Sequence, residues 1–159
     1  MEPFIRRAVP EDLEYMTRIE KRCFHPGASY PREQIEYLAF RANSSCFVVE
    51  HSGDVVGFII VLYNRGKKVA GIETLDVDPS YRGAGLGEML LLAAEDDMRK
   101  RGIIRARLEV SEGNTPAVSL YKKTGYSVLE RLKEYYQYEH NGTRDALRMI
   151  KDITPEPSA

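Results

Sequence analysis

Glycines at positions 83, 85 and 87 alternate in the run Arg82-Gly83-Ala84-Gly85-Leu86-Gly87. A strand-like stretch ends at Val77 just before it, and helix-periodic sequence opens at about Gly85. Such a junction can hold an anion. Glycine lets backbone N–H groups turn inward without a Cβ clash, and the new helix contributes the positive end of its dipole. Arg82 at the lip adds a guanidinium suited to phosphate oxygens. Two commoner phosphate motifs fit badly. A P-loop closes on Gly-Lys-Ser/Thr, whereas Gly87 is followed by Glu88 and Met89; the dinucleotide fingerprint wants glycine where Glu88 stands. Taken alone, the turn is also compatible with a plain tight connection.

What surrounds the turn sharpens it. Leu75-Asp76-Val77-Asp78-Pro79-Ser80-Tyr81 leads into Arg82-Gly83-Ala84-Gly85-Leu86-Gly87, and this resembles the coenzyme motif of the GNAT acetyltransferase superfamily, Arg/Gln-x-x-Gly-x-Gly/Ala. Downstream, Leu108-Glu109-Val110, Asn114, Ala117, Leu120-Tyr121 and Gly125-Tyr126 resemble that superfamily's second block in order and spacing. Within it the chain is most similar to the RimI-like ribosomal-protein-alanine acetyltransferases. Cys23-Phe24-x-Pro26, Tyr135-Tyr136 and Gly142-Thr143-Arg144-Asp145-Ala146 carry that likeness. It departs at Gly27, where those enzymes commonly carry Trp, and the chain has no Trp at all. The loop concerned helps form the acceptor site, so the acceptor stays open.

The resemblance implies an α/β fold: a mixed, mostly antiparallel sheet of about seven strands, splayed in the middle and flanked by about four helices. It implies acetyl-CoA as cosubstrate and no metal. Backbone groups around Leu75 and Val77 would bond the pantetheine. The turn Arg82, Gly83, Ala84, Gly85, Leu86 and Gly87 would hold the pyrophosphate, with Asn114, Ala117 and Tyr121 as further coenzyme contacts. Acetyl transfer needs the acceptor amine deprotonated and the leaving thiolate protonated. A carboxylate can take the first proton, and a phenol with pKa about 10 can supply a thiol near 8.5. Glu109 is then the candidate base and Tyr121 the candidate acid. On residue type alone, Glu109 is equally a polar-face carboxylate pairing with Arg107, Tyr121 a core aromatic and Asn114 a helix N-cap. Glu73 is a reserve candidate on the other side of the splay, its plain alternative being a strand-edge charge. Tyr135 and Tyr136 could wall the acceptor groove; consecutive strand residues face opposite ways, so at most one does.

The elements that must position these groups follow from periodicity. Strands are expected at about Phe4–Val9, Cys46–Glu50, Val55–Tyr63, Val69–Val77 and Ile104–Val110. Helices are expected from Pro10, with Leu13, Met16 and Ile19 inward and Glu20 on the polar side, and over Pro31–Ala42, Gly85–Arg101 and Asn114 to about Lys123. Two last strands, Tyr126–Glu139 and Arg144–Lys151, are joined at His140-Asn141-Gly142, a strong hairpin signal. One domain over 1–153 is expected, with 154–159 a frayed tail.

Bulk composition narrows the remaining classes. A net charge of −1 over 159 residues disfavours a general nucleic-acid surface. Basic residues do cluster at Arg99-Lys100-Arg101, Arg105 and Arg107, as a polyanion or a solvated helix end would want. Cys23, Cys46 and three scattered histidines lack metal-cage spacing. No apolar run suits a membrane span. The stretch Met1–Arg7 lacks a signal-peptide core, so the expected location is the cytoplasm. The expected partner is a protein or peptide N-terminus or a small amine (polyamine, amino acid or aminoglycoside), the protein being a monomer or homodimer. A non-catalytic acyl-CoA sensor is the reading from another class; pairing Glu109 with Tyr121 argues against it.

Overall fold

The computed structural model describes residues 2–157, which form seven strands in one sheet, order β1-β2-β3-β4-β5-β7-β6. The strands are β1 (Phe4–Arg7), β2 (Ser44–His51), β3 (Asp54–Tyr63), β4 (Val69–Val77), β5 (Arg105–Ser111), β6 (Ser127–Leu132) and β7 (Ala146–Asp152). Every neighbouring pair is antiparallel except β4–β5. The four helices are α1 (Leu13–Cys23), α2 (Arg32–Phe40), α3 (Leu86–Lys100) and α4 (Thr115–Lys123). This is the mixed, centrally splayed architecture that the resemblance implies.

Helices cover both faces of the central strands, which is why β2 and β3 are near-continuous apolar runs. On one face α1 and α2 bury Leu13, Met16, Ile19 and Ile35 against Val48, Phe58 and Ile60. On the other, α3 buries Leu86, Leu90, Leu91 and Met98 against Val49, Ile59, Val61 and Ile72. Gly87 lets α3 approach α4, because a Cβ there would lie 3.1 Å from Leu120 Cδ2.

The ladder between β4 and β5 runs only from Val69↔Arg105 to Ile72↔Leu108. A bulge in β4 sits at that point: Ile60 pairs with Thr74 while Val61 pairs with Ile72, which leaves Glu73 as the extra residue. Its effect is visible in the packing. Ala70 and Ile72 belong to the α3-side core, and so do Leu75 and Val77, three rather than two residues on. Asp78 N–H donates to Val56 O at 2.8 Å. By antiparallel alternation, the N–H and C=O groups of Leu75 and Val77 therefore point away from β3, into the gap where β5 has left.

Three expectations are corrected, and one left open is decided. The sixth strand stops at Leu132, not Glu139. Glu134 turns to φ +51°, its N–H donates to Asp145 Oδ1 at 2.8 Å, and residues 133–145 fold as an excursion instead. Asn141-Gly142 does form a tight turn, with φ +57° and +82° and a bridge His140↔Thr143, but at the tip of that excursion. Glu20 is not on a polar side: it is 1% exposed, beneath β4. The basic run Arg99-Lys100-Arg101 ends α3, about 22 Å from the glycine turn at 1.5 Å per residue. There each cation meets an acid of its own helix, Glu95, Asp96 or Asp97, as at a solvated helix end. Residues 158–159 of the expected tail lie outside the described residues, and Glu156 N–H donates to Arg99 O.

Candidate active site

Divergence of β4 and β5 opens a cleft of about 130 Å³. Glu73, Thr74 and Leu75 line one arm, Glu109, Val110 and Ser111 the other, and Ala117 and Tyr121 of α4, with its cap Asn114, close one end. Beyond Val77 the chain makes a 3-10 turn, Pro79–Tyr81, capped by Asp78 Oδ1 accepting from Ser80 N–H at 2.9 Å, and enters the glycine run.

Gly83 and Gly85 take φ +85° and +78°, left-handed values that carry a steric cost for residues with a Cβ. Helix α3 starts directly after them, and its first backbone bond from this region is Met89 N–H to Gly85 O at 3.1 Å. Among the described residues, the amides of 83 to 88 donate to no backbone carbonyl. A Cβ built on Gly83 or Gly85 meets nothing within 4 Å. Free donors, open space and a helix N-terminus together fit a pyrophosphate. Arg82, exposed, folds back to donate from Nε to Val77 O at 3.3 Å and from Nη2 to Cys23 Sγ at 3.4 Å.

Glu109 is half-buried. Its Oε2 accepts from Arg148 Nε at 2.9 Å and lies 3.5 Å from Arg107 Nε. The pairing on the polar face thus coexists with a place in the cleft wall. Tyr121 is 7% exposed, edge-on to Tyr126 at 5.7 Å between centroids. Burial, helped by the nearby Asp76 charge, pushes its phenol above the ordinary tyrosine value. Asn114 Oδ1 accepts from Ala117 N–H at 3.3 Å as the cap of α4, and its side chain also lines the cleft. Glu73 stands in the cleft wall rather than on an open edge, and its Oε1 accepts from the Tyr30 hydroxyl at 2.5 Å.

Tyr136 lines the cleft; Tyr135, packed edge-on to it at 5.0 Å, is 47% exposed and does not. Both lie in the 133–145 excursion, which is pinned by Tyr136 N–H to Arg144 O at 3.0 Å and by the Ser111 hydroxyl donating to His140 O at 2.6 Å. His140 stacks on Tyr136 at 3.8 Å and meets Phe24 of the α1–α2 loop at 6.3 Å. Tyr138 lies 3.6 Å from where a Cβ on Gly27 would stand. Two loops remote in sequence thus meet over the mouth. Sequence reasoning missed Glu20, Phe24, Tyr30 and His140 as lining residues. For Phe24 and His140 a signal existed, Phe24 belonging to the motif Cys23-Phe24-x-Pro26 and His140 opening the turn His140-Asn141-Gly142; for Glu20 and Tyr30 the partners are long-range.

A family model described as the acetyltransferase (GNAT) family matches residues 13–126. Streptothricin acetyltransferase of Streptomyces lavendulae is 35% identical over 109 residues, 68% of this chain and 58% of that protein. The [ribosomal protein bS18]-alanine N-acetyltransferase of Escherichia coli K12 is 34% identical over 85 residues, 54% of this chain and 57% of that protein. The crystal structure of the ribosomal-protein-S18-alanine N-acetyltransferase from Escherichia coli superposes with a TM-score of 0.85 at 26% identity, covering 98% of this chain and 97% of that one. The aligned region spans 48% to 66% of the length of the first curated relatives.

Proposed function

Since the chain belongs to the GNAT acetyltransferase family, we propose that it transfers acetyl from acetyl-CoA to a primary amine, the N-terminal α-amine of a protein or peptide. One observation carries this: the free amides of 83–88 lead into a gap whose two arms present Glu73 and Glu109. Acetyl-CoA supplies a thioester whose carbonyl carbon gains the C–N bond as its C–S bond breaks. Amides 83–88 bind the pyrophosphate, and the cleft-facing backbone of Leu75 and Val77 aligns the pantetheine as a strand would. Glu109 takes the amine's proton, directly or through water, and Tyr121 gives its proton to the leaving sulfur. Arg148 fixes Glu109 in place. Glu73, held by Tyr30, faces the incoming ammonium.

For the acceptor, the wall of Tyr136, His140 and Phe24 and the superposition along nearly the whole chain support a peptide N-terminus. A cleft lined by carboxylates, with no lysine or arginine among its described lining residues, also suits a small polycationic amine. The likeness to streptothricin acetyltransferase points the same way. Thiol release from acetyl-CoA decides. Release with peptides beginning in Ala, Ser or Met supports the first reading. Release only with polyamines, amino acids or aminoglycosides moves the function to small amines, and silence with CoA still bound contradicts an enzyme.

A further inference from the structure

Glu20 on α1 and Asp76 on β4 are each 1% exposed, and their carboxyl groups lie within hydrogen-bonding reach of one another. Two of the four oxygens have protein donors. Tyr30 N–H donates to Glu20 Oε2 at 2.9 Å, and the Thr74 hydroxyl donates to Asp76 Oδ1 at 2.6 Å. Glu20 Oε1 and Asp76 Oδ2 are buried with no partner at all. Two bare carboxylates side by side in a dry interior cannot both stay charged. A single proton between Glu20 Oε1 and Asp76 Oδ2 gives every oxygen a bond and halves the buried charge.

We propose that Glu20 is held as the neutral acid, donating to Asp76, and that it is a positioning residue for the cleft, acting through Tyr30 on Glu73. The path is short. Glu20 Oε2 anchors the Tyr30 backbone, and the Tyr30 hydroxyl donates to Glu73 Oε1. The neighbours favour this placement of the proton. Burial raises both carboxyls; on Asp76 it is opposed by Glu20, the Thr74 hydroxyl and Arg82, whereas on Glu20 burial, the largest effect, is reinforced by Asp76 and pushes it up to about 10. The other titratable groups facing the pair are Cys23 on α1, Tyr121 on α4 and His140 in the 133–145 excursion. Its kinetic consequence rests on the acetyl-transfer reading; the shared proton does not.

Glutamine reproduces the neutral acid: its carbonyl accepts from Tyr30 and its amide donates to Asp76. Glu20→Gln is therefore expected to keep kcat/KM within roughly threefold of wild type, and Glu20→Ala to lose roughly tenfold or more through a displaced Glu73. A second measurement is independent of activity. With the folded value raised, the native state holds a proton that the unfolded chain releases above its ordinary carboxyl range, so this group's contribution to stability falls as pH rises from about 4.5 to about 10. The Gln variant lacks that slope, so its Tm relative to wild type is expected to climb between pH 6 and pH 9. A Tm difference that stays flat would show Glu20 ionised and overturn the shared proton. A climbing difference with Gln as inactive as Ala would overturn the positioning role alone. Should acetyl transfer prove undetectable in wild type, the melting series still decides the proton.

Discussion

Glu73 and Glu109 are the first residues past the last rung of the β4–β5 ladder, one on each arm of the gap. They are held in unlike ways: Glu73 by the neutral hydroxyl of Tyr30, Glu109 by the guanidinium groups of Arg148 and Arg107. Both are thereby fixed in the cleft wall, as the roles proposed for them require.

Glu109→Gln is expected to lower kcat by about 10²-fold with the acetyl-CoA Kd unchanged, since general base help is worth that order. Glu73→Gln should instead raise the acceptor KM more than it lowers kcat. Steady-state kinetics with separate coenzyme titrations check both.

Tyr121→Phe bears on pH. Burial raises the phenol's pKa, so the proton is retained through the alkaline range rather than lost early. The variant should therefore lower kcat evenly from pH 7 to pH 10, leaving the alkaline limb where it is. A limb that moves with the substitution would place the titration on Tyr121 itself.

Gly85→Ala separates folding from binding. The left-handed φ of +78° costs an alanine about 1 kcal/mol, yet its Cβ meets no protein atom. Urea unfolding should show that small loss. Calorimetry should show the acetyl-CoA Kd rising at least roughly tenfold, because the methyl projects into the space over the free amides.

Lys151→Met tests the β7–α3 contact. Glu95, fully buried, accepts from Lys151 Nζ and from the Tyr126 hydroxyl, both at 2.8 Å. Removing the cation leaves a buried charge short of its main partner and should cost about 3 kcal/mol in urea unfolding. Adding Glu95→Leu should recover much of that loss.

Both thiols should be silent in the native protein. Burial pushes Cys23 and Cys46 each up to about 12, so little thiolate exists at pH 8. A thiol reagent is expected to label neither until denaturant is added, and then both.

Much of this was legible in the sequence, and what was not has a physical reason. The glycine turn is local: left-handed backbone and a helix start are written in adjacent residues, and the structure places both at that turn. Strand Val69–Val77 has the ends its pattern predicts. Its apolar positions 70, 72, 75 and 77 are spaced two, three, two, and that three is the bulge. The last hairpin departs from its pattern because Asn-Gly fixes a turn without fixing what leads into it; Asp145 draws Glu134 out of the strand. Glu20 follows the helical period onto a polar face, and the groups it meets in the interior, Tyr30 N–H and Asp76, lie ten and fifty-six residues on. Clefts assembled from such distant partners leave little trace in local pattern.

The most direct test of the gap as the seat of chemistry is an amide shift map of the isotope-labelled chain titrated with CoA. The largest shifts are expected at residues 83–88, at Leu75 and Val77 on one arm, and at Ala117 and Tyr121 beyond. Shifts confined to the basic end of α3, at Arg99, Lys100 and Arg101, would contradict it.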